Sequence, residues 1–139
     1  MKDVAIMTVE LNKLSKERPR TNFYTHSVYT PPQTKKRERI IAQEFLKQNE
    51  DWLCGKEPII LGIRIELEIP KSASKKDRQK MLEGEIKAVR KPDIDNTTKL
   101  VLDALNKVAY IDDQQIISLA VEKCYGEKNK LEIFVKKVL

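Results

Sequence analysis

An α+β fold, with a mixed or antiparallel sheet of about four strands packed by helices, is predicted by three observations. The segment 58–70, PIILGIRIELEIP, places apolar residues at every second position over its whole length, as a buried-face strand requires. Segments 34–48 and 96–107 instead carry apolar residues at helical spacing. Near the C-terminus two further alternating runs flank a glycine-containing turn.

Taken in order, Val4 to Leu11 alternates at Val4 and Ile6, and less cleanly at Val9 and Leu11, which predicts a strand with one buried face. Residues 12–33 have no sustained period and read as a loop. It contains Arg18-Pro19-Arg20 and Tyr29-Thr30-Pro31-Pro32. Two readings stand for it: an ordered surface crossover, or a basic, aromatic-bearing arm that meets a nucleic-acid backbone or base. Thr34 is a suitable N-cap for a helix running to Gln48, with Ile40, Ile41, Phe45 and Leu46 opposite Lys35, Arg37, Glu38 and Gln43. After Pro58, the residues Ile59, Leu61, Ile63, Ile65, Leu67 and Ile69 form the most regular strand pattern in the chain. It is expected to be central, with Ile60 on its second face and Gly62 marking a bulge or a close backbone approach.

From Lys71 to Lys91 the chain becomes strongly basic, and Ser74 is placed to cap a short helix ending near Gly84. Asp95 or Asn96 then caps a helix to about Lys107 that buries Val101, Leu105 and Val108 with Leu102 beside them, leaving Lys99 and Asp103 on the other face. Ile117, Leu119 and Val121, the turn at 125–129, and Leu131, Ile133 and Val135 predict a β-hairpin. No repeat, low-complexity tract or linker interrupts the sequence, so residues 1–139 are expected to form a single domain.

Composition narrows the functional classes. The 27 Lys and Arg against 21 Asp and Glu give a net charge of +6, which suits a phosphate-bearing partner as well as other acidic surfaces. No segment has the length and apolarity of a membrane span, and the start MKDVAIMTVEL lacks the apolar core of a signal peptide, so a soluble, cytoplasmic protein is expected. Cys54 and Cys124 lack zinc spacing and are expected to be buried thiols. His26, the only histidine, excludes a two-histidine site. No glycine-rich phosphate loop is present, so no nucleotide cofactor is expected.

The chemistry concentrates in Lys91–Asp113. Asp93 and Asp95 lie two apart, so on an extended backbone both carboxylates leave on one side as hard oxygen ligands. With Asp112 or Asp113 they would suit Mg2+, with Mn2+ able to substitute, and water and phosphate oxygens filling the remaining positions. Lys99, one turn beyond Asp95, is placed to steady a phosphate. Each residue also has a plainer reading: aspartates that cap and solvate turns, and an i,i+4 stripe of Asp95, Lys99 and Asp103. The basic segment before the aspartates, with Lys75, Lys76, Arg78, Lys80, Arg90 and Lys91, would bring a polyanion onto carboxylates that repel it, and Arg18 and Arg20 would add to that DNA-binding surface. Distance poses a difficulty. A helix over 96–107 advances ~18 Å, and residues 108–113 return roughly 20 Å at most, so Asp112 and Asp113 complete the site either within one chain or across a dimer.

Lys91-Pro92-Asp93-Ile94-Asp95-Asn96, Lys99, Leu102-Asp103-Ala104-Leu105-Asn106 and Asp112-Asp113-Gln114-Gln115-Ile116 together resemble the RusA-type Holliday junction resolvases. The resemblance implies a homodimeric, magnesium-dependent endonuclease, often encoded by phages and prophages, that cuts four-way DNA junctions symmetrically in recombination and repair. It implies a metal-activated water attacking the phosphodiester. It further implies that Asp93, Asp95 and Asp113 are the essential aspartates, Asp112 their acidic neighbour and Lys99 the functional lysine. The alternative is a non-catalytic DNA-binding recombination-accessory module that uses only the basic residues.

Overall fold

The computed structural model describes residues 2–14, 20–29 and 31–139, without the side chain of Arg20. Arg18 and part of the Arg-Pro-Arg loop lie outside the described residues. Among the described residues, the elements in chain order are strand β1 (Val4–Glu10), the short strands β2 (Arg20–Thr21) and β3 (Val28–Tyr29), helix α1 (Pro32–Gln48), strand β4 (Ile59–Glu68), helices α2 (Lys75–Leu82) and α3 (Ile94–Leu105), a 3-10 turn (Asp113–Gln115), and strands β5 (Ile116–Gly126) and β6 (Lys130–Lys137). The main sheet has the order β1-β6-β4-β5, with β4 and β5 parallel and the other neighbours antiparallel. This is the predicted α+β class with a mixed sheet, and β4 is central as expected.

One face of the sheet forms the core. Ile59, Leu61, Ile63, Ile65 and Leu67 of β4, Leu131, Ile133 and Val135 of β6, and Ala5, Met7 and Val9 of β1 are buried together with Ile41 and Phe45 of α1 and Leu100, Val101 and Leu105 of α3. Phe45 and Trp52 meet edge to face at 5.9 Å, and the Trp52 indole donates to Ala109 O, which ties the segment after α1 to the segment after α3.

Several expectations need correction. In β1 the buried set is Ala5, Met7, Val9 and Leu11, while Ile6 faces out; pairing of Ala5, Met7 and Val9 with the core residues Val135, Ile133 and Leu131 decides the face. Helix α1 begins at Pro32 with Pro31 at the N-cap, so Thr34 is an interior residue and fully buried. The fixed φ of Pro32 and its missing N–H suit a first helical turn, and this outranked the hydroxyl cap. The irregularity in the β4–β5 ladder lies at Ile59/Ile60, where β5 carries the extra residue Ile117, and not at Gly62, which sits opposite Phe134 with ordinary contact space. The loop 12–33 contains the β2–β3 hairpin. Residues 116–137 do not pair as a hairpin: β5 and β6 flank β4 on opposite sides, because β4 is apolar enough to be buried between two neighbours. Cys54 is exposed and Cys124 half-buried, the latter accepting from Arg64 Nε.

Candidate metal centre and its surroundings

Asp93, rather than Asp95 or Asn96, is the N-cap of α3, and the helix stops at Leu105 instead of Lys107. Asp93 has extended backbone angles (φ −69°, ψ 145°), and its side chain makes no capping hydrogen bond. Asp95 follows in the first helical turn, where the helix dipole favours an anion. Both side chains are exposed, and neither has a hydrogen-bond or ion-pair partner among the described residues. The capping explanation therefore does not account for either carboxylate. Lys99, also exposed, makes no salt bridge among the described residues, so the expected i,i+4 ion-pair stripe is not formed around it.

The frame around these residues is firmly tied. Thr97 Oγ1 donates to Leu14 O, Thr98 Oγ1 donates to Ile94 O at 2.7 Å, and both threonines are buried. The loop before Asp93 is held by Lys123 of β5, whose Nζ donates to Arg90 O at 2.7 Å and to Pro92 O at 3.0 Å. The Arg90 guanidinium reaches Glu68 O at 2.6 Å and lies over the Tyr125 ring. A cavity of about 560 Å³ opens beside Asp93, lined among others by Lys13, Arg90, Lys91 and Asn96. Of the other predicted DNA-binding residues, Lys75, Lys76 and Arg78 are exposed on α2 and Lys80 is half-buried; Lys91 is exposed next to Asp93.

The return from α3 is short. Asn106 is extended, Lys107 adopts φ 65°, and Lys107 N bonds to Tyr110 O at 2.7 Å. The buried Tyr110 then sends its hydroxyl back to Leu102 O at 2.8 Å. Its phenol is pushed well above the ordinary range by burial and by the negative charges of Asp113, Asp103 and Asp112. Asp112 and Asp113 follow directly. Asp112 accepts from Gln114 N at 3.1 Å, while Gln115 Oε1 accepts from Ile111 N and Asp112 N in a reciprocal cap. Gln115 Nε2 donates to Gly55 O and Glu57 O, both at 2.9 Å.

The two acids of this turn are not equivalent. Asp112 is held below the ordinary carboxylate range, chiefly by the Gln114 N–H and next by its hydrogen bond with Asp113. Asp113 is raised by that shared hydrogen bond, then by burial and by repulsion from Asp112 and Asp103.

The structure thus brings Asp112 and Asp113 toward Asp103, in the second half of α3, and leaves Asp93 and Asp95 at its start. Eight residues of helix separate Asp95 from Asp103, about 12 Å along the axis. Among the described residues no group of three or more Asp, Glu, His or Cys side chains stands close enough to hold a metal ion. The donor chemistry of Asp93 and Asp95 fits two ligands of a hard divalent cation; among the described residues no third carboxylate, histidine or cysteine stands with them. Sequence reasoning missed Lys123 and Gln115. The Asp112-x-x-Gln115 spacing was a readable capping signal, whereas nothing local marks Lys123 as the clamp on residues 90–92.

Residues 10–136 match the family described as Endodeoxyribonuclease RusA, and the chain belongs to that family. A relative from Bacillus subtilis (strain 168), described as "Uncharacterized protein YqaN", is 37% identical over 83 residues, covering 58% of this chain and 58% of that protein. The match therefore spans little more than half the length of that relative.

Proposed function

We propose that this protein is a divalent-cation-dependent endonuclease that resolves four-way DNA junctions, with Mg2+ as its ion and a homodimer as its working form. The observation that carries the reading is the pair Asp93 and Asp95: exposed carboxylates at one helix start, without protein partners among the described residues, one turn from the similarly unengaged Lys99. In a chain of the RusA endodeoxyribonuclease family, that is the expected composition of a nuclease centre.

A bound divalent cation supplies charge neutralisation at the phosphate and makes a coordinated water more acidic. Asp93 and Asp95 would hold it from one chain, and Asp113 of a second copy would complete the set. Asp112 remains committed to the Gln114 N–H, which leaves Asp113 as the ligand of the acidic turn. Lys99 places its ammonium against the non-bridging oxygens of the scissile phosphate, where negative charge builds in the transition state. Lys75, Lys76, Arg78, Lys80 and Lys91 neutralise flanking phosphates, a role that the sequence also gives Arg18 and Arg20. Arg90 mainly braces the loop through Glu68 O.

Two features support the dimer. Ile111, Ile117 and Leu119 are exposed beside Asp112–Asp113, at 42%, 63% and 44% of their full surface, an apolar surface that a second copy would cover. The edge of β5 away from β4 carries no strand among the described residues. The separation of the aspartate pairs within one chain favours a second reading, the non-catalytic DNA-binding accessory module.

Cleavage of a synthetic four-way junction in Mg2+, beside linear duplex and flap controls, decides between them. The account expects the wild type to cut the junction, and Asp93→Asn and Asp95→Asn to bind it as well or better without cutting. Cutting by both variants would sink the metal assignment. Absence of any Mg2+- or Mn2+-induced rise in Tm, together with junction binding but no cleavage, would establish the accessory module.

A further inference from the structure

The β2–β3 hairpin carries a feature the proposed chemistry does not use. At its tip, Phe23 and Tyr24 are 89% and 95% exposed, with Val89 the most open of the large apolar side chains among the described residues. Two adjacent rings left in water are costly for a small protein unless something covers them.

The tip that presents them is well ordered by its own hydrogen bonds. Asn22 Oδ1 accepts from Tyr24 N at 2.9 Å and from Thr25 N at 3.2 Å. Asn22 N donates to Ser27 O at 2.8 Å, and His26 N donates to Asn22 O at 2.7 Å. The Thr25 and Ser27 hydroxyls bond to each other at 2.7 Å. Phe23, Tyr24 and Tyr29, with Thr21 and Asn22, line an open concavity of about 570 Å³. The rings are thus presented on a pre-formed turn, which reduces the ordering cost of any partner that stacks on them.

Before the hairpin the chain is bonded to the helix of the candidate metal centre, and after the tip it borders a cavity that this helix also lines. Before the hairpin, Leu14 O accepts from Thr97 in the first turns of α3. After the tip, Tyr29 lines a cavity of about 660 Å³ with Asp103 and Ala104 of α3 and with Lys35, Glu38 and Arg39 of α1. The cations Lys35 and Arg39 at the base would hold a phosphate backbone while the apolar tip reaches past it. A flat, π-faced partner attached to a polyanion meets both demands.

We infer that Phe23 and Tyr24 form an aromatic wedge that stacks on the bases unstacked at the branch point of the junction. The inference rests on the proposed junction nuclease and extends it to how branched DNA is told from plain duplex. At a four-way crossing the base pairs at the exchange point have lost a stacking neighbour, so rings can enter at little unstacking cost. Continuous duplex offers no such opening.

The test compares wild type with Phe23→Ala/Tyr24→Ala and with the conservative Tyr24→Phe, in EDTA so that no strand is cut. Affinity for a four-way junction and for linear duplex of equal length is measured across a salt series, and permanganate oxidation of thymines at the exchange point reports unstacking. The double alanine variant should lose about tenfold or more in junction affinity, with duplex affinity, salt slope and Tm unchanged. Thymine reactivity at the branch should fall with it, and Tyr24→Phe should behave as wild type. An unchanged junction affinity overturns the wedge. So does an equal loss on junction and duplex, which would make the tip a general backbone contact, or a change of molecular mass, which would make it a contact between copies. A wild type with no preference for the junction over duplex overturns instead the reading on which the wedge rests.

Discussion

Asp113 is the residue at which local electrostatics and the proposed chemistry oppose each other. Without metal, its carboxyl shares a hydrogen bond with Asp112 and faces the charge of Asp103, so its folded pKa lies above the ordinary 3.8. For an acid raised on folding, the native state holds the proton more tightly than the unfolded chain. Its contribution to stability is therefore present at low pH and lost as pH rises from 3.8 through the raised value. Metal-free Asp113→Asn should accordingly have a higher Tm than wild type at pH 7, and the gap should close on acidification below the ordinary carboxylate range. In Mg2+ the order should reverse, because only the wild type gains from binding. Thermal melts of both proteins at several pH values, with EDTA or Mg2+, check the sign. A variant less stable than wild type in EDTA at pH 7 would show that the turn needs this carboxylate for its own structure. Asp93 shows the converse case: it occupies a capping position, yet its carboxylate does not cap.

At the scale of elements, α3 and the loop before it depend on a strand remote in sequence. Lys123 of β5 holds the Arg90 and Pro92 carbonyls, and with them the direction in which Asp93 leaves the chain. Lys123→Met should lower stability by about 1 kcal/mol, a charge-assisted bond discounted for partial exposure. It should weaken the Mg2+-induced rise in Tm by more than this loss predicts, and Lys123→Arg should restore part of that response. A metal response equal to that of wild type would leave Lys123 with a structural role alone. The long regular elements were legible in the sequence because their periods are long: β4 stands as the alternation predicted, and α1 buries Ile41 and Phe45 of its predicted stripe, although Leu46 faces out. The ends were less legible. Pro31-Pro32 outweighed Thr34 at the start of α1, and Asp93 displaced Asp95 at the start of α3, since caps depend on one or two residues and on the path of the incoming chain. The clamp by Lys123 depends on a partner some thirty residues away and left no local trace. In the aspartate stretch the residue types and their spacing were readable, but the distance between Asp95 and Asp113 was set by the tight turn at Lys107 and by Tyr110 docking on Leu102.

For the whole molecule, the order β1-β6-β4-β5 puts the least covered strand at one edge. The alternation of β5 and β6 suggested a hairpin because the turn at 127–129 is short, yet β6 takes the other side of β4. Strand pairing is a choice among non-local partners, and here the long buried face of β4, from Ile59 to Leu67, is flanked by a strand on each side. The consequence is that β5 exposes Ile117 and Leu119 beside the Asp112–Asp113 turn, where a second copy would both bury apolar surface and deliver a carboxylate. A closed twofold pair would present two such centres to one branched substrate, as the proposed resolution of a junction requires.

The division of each centre between two chains is tested most directly by complementation. Asp95→Asn and Asp113→Asn, each expected to be inactive alone, are co-expressed with different tags and the mixed dimer is purified. If Asp93 and Asp95 come from one chain and Asp113 from the other, one centre of the mixed dimer carries both lesions and the other carries none. The mixed dimer should then nick a four-way junction in Mg2+ at about half the wild-type rate per dimer. A mixed dimer as inactive as its parents would mean that every centre carries a lesion, and that each chain completes its own site.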